Sequence, residues 1–108
     1  MSLKEQIFVF KNSADLIYNS KDYTSSTILY FKTLFAIEDF ILLEKIGYSP
    51  KDHTERFRLL EKEIPDEYNI LDSEFNTYRS TYSKIISKET CDRIKKTVEN
   101  AIRNYKIE

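Results

Sequence analysis

The stretch that most constrains the fold is Thr27–Ile46, TILYFKTLFAIEDFILLEKI, which contains neither Gly nor Pro. Placed on a helical wheel, its apolar residues cover most of the circumference. Ile28, Phe31, Phe35, Leu42 and Ile46 form one stripe; Leu34, Ile37 and Ile41 form a second; Leu29, Phe40 and Leu43 take the far side. A helix that is apolar on nearly every side is covered by neighbours on several sides. The stretch therefore predicts the central helix of a small bundle. It is about as long as a membrane span, but it carries Lys32, Glu38, Asp39, Glu44 and Lys45. Central charges cost about 2.5–3.5 kcal/mol each on insertion, so no membrane span is expected.

The rest of the chain supplies the covering helices. With one Gly and two Pro in 108 residues, long helices are favoured over hairpins. The length allows one domain, residues 1–108, with one core. At 41% apolar and 32% charged residues the composition is that of a globular chain. Residues 3–18 carry Leu3, Ile7, Phe10, Ala14 and Ile17 at helical spacing. The run Asn19–Ser26 is rich in turn and cap formers, with Asp22, Thr24 or Ser25 as the cap of the next helix. Gly47 marks that helix's end. Ser49-Pro50 predicts the start of a third helix over about 50–63, with Phe57, Leu60 and Ile64 on its thin apolar face and His53 and Arg56 close by. Pro65 breaks it. A fourth helix, about 66–85, carries the seam Tyr68, Leu71, Phe75, Tyr78, Tyr82 and Ile85. A fifth, about 88–106 after a Ser87 cap, carries Cys91, Ile94, Val98, Ala101 and Tyr105. Short connections favour antiparallel neighbours, giving an all-α, up-and-down bundle of four to five helices.

Several function classes are excluded by pattern. There is no phosphate-binding Gly loop, no paired Cys ligands, no nucleophile-elbow Ser and no HExxH. No metal and no cofactor is expected. The net charge of −1 gives no global field for nucleic acid. The lone Cys91 sits on an apolar seam and reads as an inert core thiol. With no internal disulfide and no apolar leader, the expected location is cytoplasmic.

Three anomalies remain. Glu38 and Asp39 interrupt the apolar helix and need partners, because an unpaired buried carboxylate is costly. They read either as a solvent-reaching edge or structural ion pair, or as functional carboxylates facing a cleft or dimer seam. Arg79 stands beside Tyr78 and three residues before Tyr82. An Arg with nearby phenols suits a phosphate, a base or a carboxylate, or simply snorkels along the rings. His53, near a helix start, reads first as a surface residue. The basic strip Arg93, Lys95, Lys96, Arg103 and Lys106 is a weak nucleic-acid footprint beside so much acid.

Three segments in order, DYTSSTILYFKTLFAIEDFILLEKIGYSPKDH, FNTYRSTYSKI and SKETCDRIKKTVENAIRNY, together resemble the HEPN domain family, small helical bundles of archaea and bacteria. The resemblance spans roughly residues 22–105. It implies a homodimer with a cleft between subunits, and a nucleotidyltransferase partner in a toxin–antitoxin or defence setting. Active members are metal-independent ribonucleases with an Arg followed, four to six residues on, by a His. Arg79 takes the place of that Arg, but Ser80 to Ile86 contain no His. The implied role is thus a non-catalytic nucleotide- or RNA-binding or partner module, with Arg79 on phosphate, Tyr82 and Tyr78 stacking or hydrogen-bonding, and Asp39 or Glu38 orienting Arg79. The alternatives are a divergent ribonuclease that uses Tyr82, or His53 brought in by the fold, and a purely structural dimer that recognises another protein.

Overall fold

A computed structural model describes all of residues 1–108. It is an all-α bundle of five helices: α1 (Leu3–Asn19), α2 (Tyr23–Ile46), α3 (His53–Glu63), α4 (Pro65–Ser80) and α5 (Lys88–Asn104). α2 is the hub, in close contact with each of the other four. Tyr30, Phe31, Leu34, Ile37 and Leu42 are fully buried on it. Asp22 caps it by accepting from the Ser25 N–H at 3.0 Å.

Gly47 closes α2 in the left-handed conformation, φ 85°, with its N–H donating to the Leu43 carbonyl at 2.9 Å. A Cβ built there meets nothing within 4 Å. Gly47→Ala therefore suffers only the backbone penalty. We expect a loss of about 1 kcal/mol, read as a lower urea midpoint with an unchanged slope.

α1 packs antiparallel on α2 where both present small residues. The Ser26 hydroxyl donates to the Ala14 carbonyl at 2.9 Å, and the Tyr30 hydroxyl donates to Asp15 Oδ1 at 2.5 Å. Ile7 and Ala14 are fully buried, while Val9 and Leu16 face outward.

The bundle is not strictly up-and-down. Phe35 meets His53, Asp39 meets Arg56, and the Lys45 ammonium donates to the Glu63 carbonyl. Both numbers rise together, so α3 runs parallel to α2. The segment 47–52 travels back along α2 before α3 starts, and buries Pro50 on the way. A short loop was expected to reverse direction; here it is extended enough to carry the chain back about three turns. For the same reason Ser49-Pro50 does not open α3. Its cap is Asp52, which accepts from the Glu55 N–H at 2.9 Å.

α4 starts abruptly, with Ile64 ending α3 and capping α4 and Pro65 in the first turn. It ends at Ser80, five residues before the expected end at Ile85. The hydroxyls of Ser80 and Thr81 turn back onto the carbonyls of Thr77 and Tyr78. Such side chains compete with helix continuation. The Ile86 N–H then donates to Thr24 Oγ1 at 2.8 Å, which ties the connection to α2. Tyr82 and Ile85 consequently leave the seam, and they are 75% and 94% exposed. α5 begins at its Ser87 cap as expected. It buries Cys91, Ile94, Val98 and Ala101, and Tyr105 forms its C-terminal cap. No helix is long and apolar enough to cross a membrane.

Candidate functional site

The parallel run of α3 beside α2 builds a charged cluster between α2, α3 and α4. Arg56 grips Asp39 with both arms of its guanidinium, Nε to Oδ1 at 2.7 Å and Nη2 to Oδ2 at 3.0 Å. This fork geometry is the strong form of the pair. The two side chains are only 10% and 14% exposed. The third nitrogen, Nη1, donates to His53 Nδ1 at 2.5 Å. Arg56 also lies over the Phe35 ring, 5.0 Å from its centroid.

His53 sits edge-on within an aromatic box. Its ring centroid is 4.8 Å from Phe35, 5.4 Å from Phe75 and 5.7 Å from Tyr78. Burial, and then the Arg56 charge, hold its pKa below the usual histidine value. Arg56 can only donate, so Nδ1 is an acceptor and the imidazole proton resides on Nε2. A neutral ring in this state can donate from Nε2 but has no free lone pair with which to take a proton.

Tyr78 links this box to the surface. Its ring packs edge-to-face on Phe31 and Phe35, and its hydroxyl is 2.6 Å from that of Tyr82. Burial and the Tyr82 hydroxyl push the Tyr78 phenol up to about 12. Arg79, one residue on, is exposed and joins no ion pair. From Arg79 to Lys88 the chain reads RSTYSKIISK, three cations and no acid. Lys88 is partnered by Asp92 at 3.0 Å, whereas Lys84 is exposed and unpaired. The charge of Lys32, exposed on α2, also lowers the His53 pKa.

The carboxylates of α2 thus take partners other than Arg79. Asp39 belongs to Arg56. Glu38 is fully buried and turned towards Glu67 at the start of α4. Arg79 is left unoriented by either. The structure brings together His53 and Asp39 on Arg56, with Tyr78 against the His53 ring and Tyr82 reached only through Tyr78, and it leaves Glu38 in a separate buried pair. Arg56 and Glu67 went unselected in the sequence. Arg56 is three residues from His53 on a helix too thinly apolar to need an Arg inside it, which was the available signal. Glu67 resembles an ordinary first-turn acid favoured by the helix dipole, so nothing marked it.

The basic strip of α5 loses much of its free charge to intramolecular partners. Arg93 holds Glu74 through two bonds, 2.8 and 3.0 Å, and Lys95 holds Glu99 at 2.8 Å. No group of three or more His, Cys, Asp or Glu side chains is placed to hold a metal ion.

Fold and site together define an all-α bundle with an aromatic box around an Arg–Asp–His cluster, opening to an acid-free basic segment. Compared with models of known families, with curated proteins and with solved structures, the chain finds no match.

Proposed function

We propose that the protein is a HEPN-type, non-catalytic binding module for a nucleotide or RNA, acting as a homodimer with a nucleotidyltransferase as its protein partner. The observation that carries this reading is the segment Arg79–Lys88, which contains no acid and exposes Arg79, Lys84 and the 75% exposed Tyr82. Arg79 and Lys84 suit phosphate oxygens, and the Tyr82 ring suits stacking on a base. Tyr78 fixes Tyr82 through its hydroxyl and is itself wedged between Phe31 and Phe35.

The state of His53 supports binding over cleavage. General base catalysis needs a free lone pair on a group whose pKa lies near the working pH. His53 has its Nδ1 engaged by Arg56 and its basicity lowered. A second reading, a divergent metal-independent ribonuclease, is favoured by one observation: the fold does carry His53 to the Tyr78 ring.

The test is incubation of wild type and Arg79→Ala with a mixed RNA pool, without added metal, reading retention and cleavage together. Retention without cleavage is expected, weakened severalfold in Arg79→Ala and steeply by added salt. Cleavage by wild type alone would make Arg79 catalytic. RNA left intact and unbound by both proteins would shift the reading to a dimer that recognises another protein.

A further inference from the structure

The buried pair Glu38–Glu67 has no part in the surface just described. Glu38 is 0% and Glu67 2% exposed. Of their four carboxyl oxygens, only Glu67 Oε2 has a donor, the Tyr105 hydroxyl at 3.2 Å. Both oxygens of Glu38 and Oε1 of Glu67 have none. The two carboxyl groups face one another. Two carboxylates in that position would be adjacent, buried and short of donors. One proton removes the conflict, because a protonated Glu38 becomes the donor that Glu67 lacks.

We propose that Glu38 and Glu67 share one proton and act as a latch, holding the first turn of α4 against α2 until that proton is lost. The surroundings give a second negative charge little support. Asp39 adjoins Glu38 on α2, and Asp66 adjoins Glu67 on α4. The one nearby cation, Arg56 of α3, is already bound by Asp39. α5 faces Glu67 with the uncharged Thr97, Asn100 and Asn104, along a shallow groove of about 170 Å³ through which solvent can exchange the proton.

Tyr105 stays a donor throughout, since burial and the Glu67 charge push its phenol up to about 12. Beyond it the backbone turns at Lys106, φ 52°, and Ile107 is tucked in with its N–H on the Ile102 carbonyl. Loss of the proton leaves Tyr105 donating to a charged Glu67, a stronger bond, so the repulsion separates the first turn of α4 from α2 rather than the last residues from α4.

The sign follows from linkage. Burial raises both carboxyls above the ordinary glutamate value. The folded chain then keeps a proton that the unfolded chain gives up, and latching weakens as pH rises. The test compares wild type with Glu38→Gln, whose amide donates permanently. In wild type the opening constant at the Tyr68 amide, which donates to the Ile64 carbonyl in the first turn of α4, corrected for intrinsic exchange, should rise by up to tenfold per pH unit as the shared proton is lost. In Glu38→Gln it should stay flat. His53 is common to both proteins and cancels. In parallel, carbon-13 titration of wild type should show one Glu carboxyl pair titrating well above the ordinary glutamate range. Equal slopes in the two proteins, or every wild-type Glu titrating in the ordinary range, would overturn the latch. The carboxyl titration needs no variant and decides the matter even where Glu38→Gln fails to fold.

Discussion

Asp39→Ala should cost about 3–5 kcal/mol of stability, because it strands the Arg56 charge in the interior. Arg56 is gripped at two nitrogens by Asp39, and its remaining polar contact is the His53 ring. No solvent shell takes over when the carboxylate goes, since the Arg56 side chain is only 10% exposed. In a chain of this size the loss is a large share of the whole, which runs to about 5–15 kcal/mol for native domains. The measurement is the urea unfolding midpoint at neutral pH. Asp39→Asn is a sharper comparison. It keeps the shape and one acceptor but removes the charge, and should lose most of the same amount. The double substitution Asp39→Leu with Arg56→Met should recover much of it, because an apolar pair of similar size needs no desolvation of ions. A loss below about 1 kcal/mol for Asp39→Ala would mean that the pair behaves like a surface contact.

Phe31→Ala should lose a comparable amount, about 3–5 kcal/mol, for a different reason. Phe31 is fully buried at the centre of α2 and packs on Phe35 and Tyr78, with ring centroids 6.1 and 5.3 Å away. Truncation leaves a cavity whose walls come from two helices and cannot both collapse into it. The effect should reach the surface as well, since Tyr78 holds Tyr82 through its hydroxyl. Thermal unfolding reads the stability loss. Retention of RNA by the folded fraction reads the loosening of Tyr82. Leu16→Ala is the control: Leu16 is 72% exposed on α1, and its loss should stay within about 0.5 kcal/mol.

What the sequence made legible was governed by local rules. The all-round apolarity of Thr27–Ile46 identified the hub, because a helix with no polar face has to be surrounded. Gly47, Ser87 and Pro65 placed their helix ends, since each acts through its own backbone chemistry. Two features depended on longer reach. The parallel course of α3 rests on how far residues 47–52 extend, and nothing in GYSPKD sets that length. The early end of α4 rests on a contest between an apolar seam, which continues to Ile85, and the hydroxyls of Ser80 and Thr81. The seam was the louder signal, and the hydroxyls prevailed because Thr24 offered the Ile86 N–H a partner.

The candidate site was half legible for the same reason. The residue types that stand out singly, His53, Asp39, Arg79 and Tyr82, were visible in the sequence. Which of them meet was not. Asp39 was expected to orient Arg79 from the packing of α2 on α4, yet the parallel α3 brought Arg56 closer and with better fork geometry. Glu38 needed a partner by any burial argument, but a second carboxyl is not the partner that charge pairing leads one to look for.

The position of α2 as hub has a consequence for the order in which the chain is made. When α2 leaves the ribosome, only α1 precedes it among these helices, and α1 covers a single side. The residues that cover the other sides, His53 to Asn104, follow over about 3–12 s at ordinary rates of synthesis. During that interval Phe31 lacks Tyr78, and Phe35 lacks both Tyr78 and His53, to pack against. The nascent chain is then an apolar helix in search of cover, and holdase chaperones bind that kind of segment. Cells short of such chaperones should lose this protein to aggregation during its synthesis, even though the finished bundle buries the same residues.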